Sequence, residues 1–341
     1  MTGDERVSRR VACDDVITGY RAIEVADEAS LRAAFSALDR VRVAPSGFVD
    51  VTLPIGTLDV QAALSGTHPD GSRVRLSGAS DGSSTLRFVN GTNGIIVTEA
   101  LRLRRLKLLS TIRDADGNRQ GVGVGAYTAG RVFIDPVDSS PPESLLVSGF
   151  AVGVQAYGSS IIEAASASLS VSDNTHGVEA HTGGVINAFR AVAFDNAVMG
   201  FGAFNGILVV REAQAHDNGI YGFYAERGGL IDAFDAVVSD DDGLGFVAIH
   251  HAHVFCSRAR TQTPFAVQAL QGSQVLCTEA SLNGSVVVDS ASFGNFDNAT
   301  GENLSITVSD VSNATHLCQD ATSKDCADVV CTIDDTSLCE P

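Results

Sequence analysis

The densest group of basic side chains lies between positions 73 and 119. Nine of the 23 Lys and Arg residues fall there beside only four acidic residues, in a chain whose net charge is −18. Because guanidinium and ammonium groups bind carboxylates, an exposed basic face here predicts an acidic polysaccharide ligand. The residues predicted to form this face are Arg75, Arg102, Arg104, Arg105 and Lys107. The alternative is that they are ordinary solvated side chains on strand faces.

A second candidate site is acidic and recurs along the chain. Its members are the pairs Asp173-Asn174, Asp195-Asn196, Asp217-Asn218 and Asp240-Asp241. Carboxylates stacked one above another repel unless they spread into water or share a cation, so the pattern predicts a calcium site. The predicted ligands are Asp195, Asp217, Asp240 and Asp241. The alternative is that Asp and Asn stand there because they stabilise tight turns.

Three His residues, His250, His251 and His253, follow the Asp240 turn. Imidazole rings beside carboxylates bind metals or transfer protons, so His251 and His253 join the predicted metal ligands. The alternative is that they are exposed polar residues of a turn. No residue is predicted to be catalytic, and calcium is the only cofactor considered.

The cysteines indicate an oxidising compartment. Four of the seven stand near the C-terminus, at Cys318, Cys326, Cys331 and Cys339, in a tail too polar to build its own core. We predict two disulfides there, with undetermined connectivity. A zinc site is the alternative, although the spacing lacks the usual Cys-x-x-Cys pair. The expected location is therefore extracellular or at the cell surface, and the role of Cys13 stays open.

These side chains must be positioned by a repeat of about 22 residues, which is clearest from 153 to 284. Four segments show it, namely GVEAHTGGVINAFRA from Gly177, GFGAFNGILVVREA from Gly200, GFYAERGGLIDAFDA from Gly222 and GFVAIHHAHVFCSRA from Gly245. One Ala column comprises Ala156, Ala180, Ala203, Ala225, Ala248 and Ala269. A second comprises Ala167, Ala191, Ala213, Ala236, Ala259 and Ala280.

The apolar residues within each repeat alternate with polar ones, which predicts short strands. Strands that return to the same columns make one coil of a solenoid, with successive coils about 4.8 Å apart. Phe201, Phe223 and Phe246 would fill its bore. Cys256 and Cys277 would then be inward neighbours on consecutive coils, either bonded as a disulfide or present as two buried thiols.

With these columns the chain resembles the right-handed parallel β-helix (pectin-lyase-like) superfamily over roughly residues 50 to 310. The resemblance implies an all-β fold, a single-stranded parallel β-helix, with a short N-terminal capping helix and a Cys-rich C-terminal cap. Catalytic patterns of polygalacturonase-like members are missing. Alginate-epimerase-like members carry Asp-Pro-His-Asp, and IYGFYAERGG from Ile220 shares only the neighbouring Gly-Phe. Outward aromatic residues are expected only at Tyr224 and Phe255.

The chain divides into three predicted parts. Residues 1–48 hold a leader and a capping helix over Asp27 to Leu38, residues 49–310 the β-helix, and residues 311–341 the Cys-rich cap. The N-terminal segment lacks the apolar stretch of a signal peptide, and no apolar run is long enough to cross a membrane. The acidic net charge disfavours nucleic acid as a partner. Oligomeric state stays open.

Two functions fit this sequence. Regular coils and missing catalytic motifs favour an exported, non-enzymatic surface, adhesive or envelope scaffold that binds polysaccharide or the cell envelope. The second hypothesis is a polysaccharide lyase, hydrolase or epimerase of the same fold. The long loops at 112–121 and 135–143 favour it, because sites tend to lie on loops over rigid scaffolds.

Overall fold

The computed structural model describes residues 16–90, 93–137, 143–164, 167–239, 243–289, 291–296, 298–301 and 305–309. Within these ranges the chain forms a parallel β-solenoid whose coil has three faces. Twelve strands pair in parallel along the first face. They are β2 Tyr20–Glu24, β4 Phe48–Thr52, β7 Val74–Ser77, β10 Ala100–Arg104, β13 Arg131–Ile134, β16 Ile161–Glu163, β19 Val185–Asn187, β22 Ile207–Val209, β25 Leu230–Asp232, β28 His253–Phe255, β30 Gln274–Leu276 and β32 Phe293–Asn295.

The second and third faces join into one sheet of nineteen strands within the described ranges. The second face comprises β5 Gly56–Val60, β8 Ser84–Phe88, β11 Leu106–Ser110, β14 Glu143–Ser148, β17 Ser168–Ser172, β20 Val192–Phe194, β23 Gln214–His216 and β26 Val237–Ser239. The third comprises β6 Leu64–Gly66, β9 Ile95–Val97, β12 Val122–Tyr127, β15 Val152–Tyr157, β18 His176–His181, β21 Met199–Phe204, β24 Tyr221–Glu226 and β27 Leu244–Ile249. The two faces merge at β29 Arg260–Ala269, β31 Ser281–Asp289 and β33 Ser305–Ser309. A small separate pair joins β1 Val16–Ile17 to β3 Arg42–Val43.

The bore of the solenoid is filled by the columns that the repeat predicts. Every Ala of both columns is at most 4% exposed. In the Phe column, Phe201 stacks on Phe223 at 4.8 Å between ring centroids, and Phe223 on Phe246 at 4.9 Å. Inward and outward residues alternate along each strand, and small Ala residues beside stacked rings let the coil stay narrow. The predicted parallel β-helix is confirmed.

The Gly that opens each repeat permits consecutive coils to approach closely. A Cβ atom on Gly177 would lie 2.4 Å from the carbonyl oxygen of Gly200, a distance no side chain tolerates. The same position is Gly153 one coil earlier, where a Cβ would lie 2.7 Å from the Gly177 carbonyl oxygen. Gly is therefore required at this corner by backbone packing.

Three buried Asn residues form a hydrogen-bonded ladder beside that corner. Asn174, Asn196 and Asn218 are at most 1% exposed. Asn174 Nδ2 donates to Asn196 Oδ1 at 3.2 Å, and Asn196 Nδ2 donates to Asn218 Oδ1 at 2.9 Å. The amides also donate to carbonyl oxygens of Val147, Val171 and Ala193, so the ladder satisfies buried backbone groups from coil to coil.

The helix α1, Glu28–Leu38, lies at the N-terminal end of the bore as predicted. Asp27 is its N-cap: its carboxylate accepts from the Ser30 backbone N–H at 2.7 Å, and Ser30 Oγ accepts from the Asp27 N–H at 3.0 Å. Leu31 and Leu38 are buried. The first face itself begins before this helix, because β2 pairs in parallel with β4. The three-part division of the chain stays a prediction.

Cys256 and Cys277 are fully buried neighbours on consecutive coils, and a disulfide joins them. Their Cα atoms lie 4.5 Å apart. The predicted adjacency is confirmed, and of the two alternatives the structure has the bond. Cys13 and the predicted disulfide cysteines Cys318, Cys326, Cys331 and Cys339 lie outside the described residues. In the part of the chain that the structure describes, no helix is long and apolar enough to cross a membrane.

We predict that Ala225→Leu destabilises the solenoid by about 1–3 kcal/mol, because the added atoms would overpack a bore that is closed on all sides. Ala225 is fully buried in register with Ala203 and Ala248. Urea unfolding measures the effect. Ala197→Leu is the control, since Ala197 is exposed at a corner of the same region. Equal stability of the two variants would contradict the inward column.

Candidate functional site

Two of the predicted basic residues, Arg75 and Arg102, come together on the outside of the first face, where they are neighbours in register. They do not form an open basic surface. Arg75 binds Asp50 at 2.5 Å and Asp135 at 3.4 Å, and Arg102 binds Asp135 at 2.5 Å. Burial raises the pKa of Asp50, but the hydrogen bonds from Arg75 and Ser77 outweigh it and hold that pKa below its usual value. Both guanidinium groups are thus already neutralised.

The other members of the predicted basic face lie elsewhere on the coil. Arg104 is half-buried at the end of β10, and Arg105 has a φ of 55° at the corner that follows. Lys107 lies on the second face, in register with Thr85 and Leu146. The structure therefore divides the five residues between two faces and a corner, because the chain turns between β10 and β11. Binding of acidic polysaccharide by these residues stays a prediction.

The recurring Asp residues occupy the corner between the second and third faces. Asp173, Asp195 and Asp217 have φ values of 53°, 54° and 56°, the left-handed conformation that the turn interpretation requires. Asp173 is paired with Arg119 and lies 3.9 Å from Arg113. These arginines belong to the long loop 112–121, which folds against this corner.

The predicted metal ligands do not lie at one corner. Asp195 and Asp217 precede third-face strands, whereas His251 and His253 follow one, and a six-residue strand separates such corners by about 20 Å. Asp240 and Asp241 lie outside the described residues. Among the residues that are described, no three His, Cys, Asp or Glu side chains are grouped to hold a metal. A calcium site at the Asp ladder stays a prediction.

A different cluster lies on the outer side of the third face, in strand β18. Glu179 is only 3% exposed, yet its carboxylate bridges two imidazole rings. His176 Nδ1 lies 2.5 Å from Oε1, and His181 Nε2 lies 2.9 Å from Oε2. We call these three residues the His–Glu–His cluster.

Strand geometry explains why Glu179 and His181 share one surface, and the contact of His176 with Glu179 places the third side chain there. Val178 and Ala180 are fully buried in the bore, so Glu179 and His181 must point outward. On the coil before, Gln155 is in register with Glu179 and its Nε2 donates to Glu179 Oε2 at 3.2 Å. The Tyr127 hydroxyl donates in turn to Gln155 Oε1 at 2.7 Å. A chain of hydrogen bonds across three coils thus fixes the carboxylate.

Two glycines flank Gln155 and Glu179 in the same outward column, one on the coil before them and one on the coil after them. Gly125 precedes Gln155 in register, and Gly202 follows Glu179. A Cβ atom on Gly125 would lie 2.4 Å from the Tyr127 ring, and one on Gly202 would lie 2.9 Å from the Phe204 ring. Each aromatic ring therefore lies over a bare glycine, at the two ends of the column that holds Gln155 and Glu179.

The electrostatics of the cluster keep Glu179 ionised. Burial alone would raise the pKa of this carboxyl, but hydrogen bonds from His176 and His181 and their charges outweigh burial and lower the pKa to about 2. Burial and the charge of Glu179 also raise the pKa of Tyr127, so its hydroxyl stays a hydrogen-bond donor. Glu179 therefore cannot donate a proton near neutral pH.

The two imidazoles are the groups that can transfer protons. His176 and His181 are 31% and 26% exposed at their side chains, so both rings reach solvent. His176 Nε2 and His181 Nδ1 are the ring nitrogens that Glu179 does not hold. A carboxylate that orients an imidazole and stabilises its protonated form is the usual support of a His acid or base.

Sequence reasoning missed this cluster, although a signal was present. Three of the residues in HGVEAH from His176 are titratable, in a chain with only eight His. The expectation of few outward aromatics was wrong as well, because Tyr127, Tyr157, Phe204 and Tyr221 also point outward on the third face.

We predict that Glu179 makes the free energy of unfolding fall as the pH is lowered. Its folded-state pKa of about 2 lies below the ordinary 4.5, so this stabilisation is complete above pH 4.5 and is lost as the pH falls towards 2. The loss amounts to at most about 3 kcal/mol. Urea unfolding between pH 6 and pH 2.5 measures it, with Glu179→Gln as reference. Parallel pH dependence of the variant and the native protein would contradict the assignment.

No protein-family model and no curated protein sequence matches the chain. Among solved structures, the A-module of the Azotobacter vinelandii mannuronan C-5 epimerase AlgE6 is similar to it, with a TM-score of 0.47 and 15% sequence identity. The similarity covers 85% of this chain and 90% of that one. At this level it carries no information on the chemistry of this chain.

Proposed function

We propose that this protein is a polysaccharide lyase that acts on uronate-containing glycans, with the His–Glu–His cluster as its proton-transfer centre. The observation that carries the proposal is the buried, ionised Glu179 between two solvent-reaching imidazoles. Glu179 is a positioning residue in this scheme, because it acts through the rings it orients. His176 and His181 are the catalytic residues.

The chemistry follows from what each group can do. One imidazole, in its neutral form, removes the proton from the carbon next to the uronate carboxyl group. The electron pair of that C–H bond forms a C=C double bond, and the bond to the neighbouring glycosidic oxygen breaks. The leaving oxygen keeps the electron pair of the broken C–O bond and takes a proton from the second imidazole. Both rings lie on one side of the sheet, which suits removal and delivery of protons from the same side of the sugar.

Hydrolysis is less well supported at this site. Glycoside hydrolases need a protonated carboxylic acid as proton donor and a second carboxylate close to it. Glu179 is held at a pKa of about 2, so it is the wrong kind of carboxyl group for the donor. Proton removal from carbon needs only the imidazoles and their orientation.

An acidic substrate is supported by the charge of the site. With one imidazole neutral and the other protonated, as the reaction requires, the charge of the imidazolium offsets that of Glu179, so the cluster does not repel a uronate carboxylate. Arg113 and Arg119 stand at the neighbouring corner, where Asp173 orients them. A uronate carboxyl group gains most from such surroundings when negative charge develops next to it as the proton leaves.

The non-enzymatic scaffold stays the alternative, although two of the five basic residues that it was expected to use, Arg75 and Arg102, are paired with Asp50 and Asp135. Incubation with uronate polymers and with neutral polymers separates the two functions. A lyase releases unsaturated products, which absorb ultraviolet light, from uronate polymers alone. A scaffold binds a polymer and leaves it unchanged.

A further inference from the structure

Aromatic rings continue along the third face on both sides of the His–Glu–His cluster. Tyr127 and Tyr157 lie on the two coils before it, with 6.2 Å between ring centroids, and Tyr157 lies 6.3 Å from His181. On the next coil Phe204 stacks on His181 at 4.6 Å, and it lies 5.6 Å from Tyr224 one coil further. The ring of Tyr221, at the start of the same strand as Tyr224, lies 4.7 Å from the Tyr224 ring and belongs to the row. We call this row the aromatic track.

The glycines beneath the rings give the track its shape. Tyr127 and Phe204 fold over Gly125 and Gly202 instead of standing away from the sheet. Rings that lie along a surface present part of their faces outward, and the apolar C–H face of a sugar packs well against an aromatic face. Tyr157 is 45% exposed, so its ring is open to a ligand.

The spacing of the track matches a linear glycan. Successive coils are about 4.8 Å apart, which is close to the length of one glycosyl unit. The rings span five coils, those of β12, β15, β18, β21 and β24, and the cluster occupies the middle one. Strand β9 before them and β27 after them extend the same face. The sheet that carries the track therefore continues beyond both of its ends in the part of the chain that is described.

We infer that the protein binds an internal segment of about five sugars, laid along the solenoid axis, and cleaves its polymer in the middle. This endo mode of action rests on the proposed function. Beyond the lyase activity, it specifies that cleavage occurs inside the polymer and not at its ends. An enzyme that works from chain ends would need one end of the track closed, so that a terminus is held at the cluster.

The test uses Tyr157→Ala and Tyr221→Ala, which remove rings on opposite sides of the cluster. Each is expected to weaken polymer binding by about threefold to tenfold. Tyr20→Ala is the matched control, because Tyr20 is 64% exposed but lies on the first face, stacked on Phe48. Binding is measured with Glu179→Gln, so that the polymer is not consumed, by affinity electrophoresis through gels that contain a uronate polymer.

Mode of action is measured separately with the native protein. Endo cleavage lowers the viscosity of the polymer early, before many ends are released, and oligomers shorter than five units react much more slowly. Steady release of one small product with constant viscosity would overturn the inference and leave the lyase intact. Binding that depends on Tyr157 and Tyr221 without any cleavage would support the track and refute the lyase. Equal binding by all three Tyr variants would refute the track.

Discussion

Glu179→Gln is expected to lower turnover of the uronate polymer by a factor of about 100 to 10,000, the usual contribution of acid–base catalysis. Gln keeps the shape of the side chain and can still hydrogen-bond both rings. The substitution removes the negative charge of Glu179, which orients and stabilises an imidazolium. The coil around it is closed by Val178 and Ala180, so the fold is expected to persist.

A second readout separates positioning from mere structural support. Loss of the carboxylate is expected to move the pH–activity profile towards lower pH, because an imidazolium is more stable beside a carboxylate than beside an amide. Glu163→Gln is the control, since Glu163 is exposed on the first face and far from the cluster. Native turnover in Glu179→Gln would refute the proposed centre. A low rate with an unchanged pH profile would reduce Glu179 to a structural residue.

Asn196→Ala is expected to lower the free energy of unfolding by about 3–5 kcal/mol, because it leaves buried polar groups without partners. The Asn196 amide accepts from the Asn174 backbone N–H at 3.2 Å and donates to the Val171 carbonyl at 3.2 Å. It is the middle member of the ladder, so its loss interrupts contacts to the coils on both sides. Urea or thermal unfolding measures the change.

Asn187→Ala is the matched control for the ladder. Asn187 is half-buried but points outward from β19, so its replacement is expected to change stability by less than about 0.5 kcal/mol. Similar stability of the two variants would contradict the ladder. A much larger loss of stability for Asn196→Ala, with activity retained by the folded protein, would show that the ladder stabilises the fold and takes no part in catalysis.

The repeats made most of the fold predictable. Inward residues recur because each coil must fill the same bore. The recurring Ala180, Ala203 and Ala225 therefore allow the inward columns to be recognised from the sequence. The same register placed Cys256 beside Cys277. Predictions of this kind need only the register between one coil and the next. The short corners of the regular coils keep the number of residues per coil nearly constant, so that register can be counted along the sequence.

The candidate site was not predictable in the same way. Outward positions do not keep one residue type from coil to coil, so Gln155, Glu179 and Gly202 show no pattern until the register between their coils is known. The early coils are longer, and the step from Tyr127 to Tyr157 exceeds the usual repeat. The division of the predicted basic residues between two faces was hidden for a related reason, because a corner at Arg105 turns Lys107 onto another face.

The most direct test of the central claim follows the hydrogen on the carbon next to each uronate carboxyl group. The native protein is incubated with a uronate polymer in heavy water, and NMR follows that carbon. We predict loss of that C–H signal together with a new vinylic signal, and both changes at least about 100 times more slowly with Glu179→Gln. A polymer that stays bound but keeps every C–H signal would contradict the proton-transfer centre and return the protein to the scaffold hypothesis.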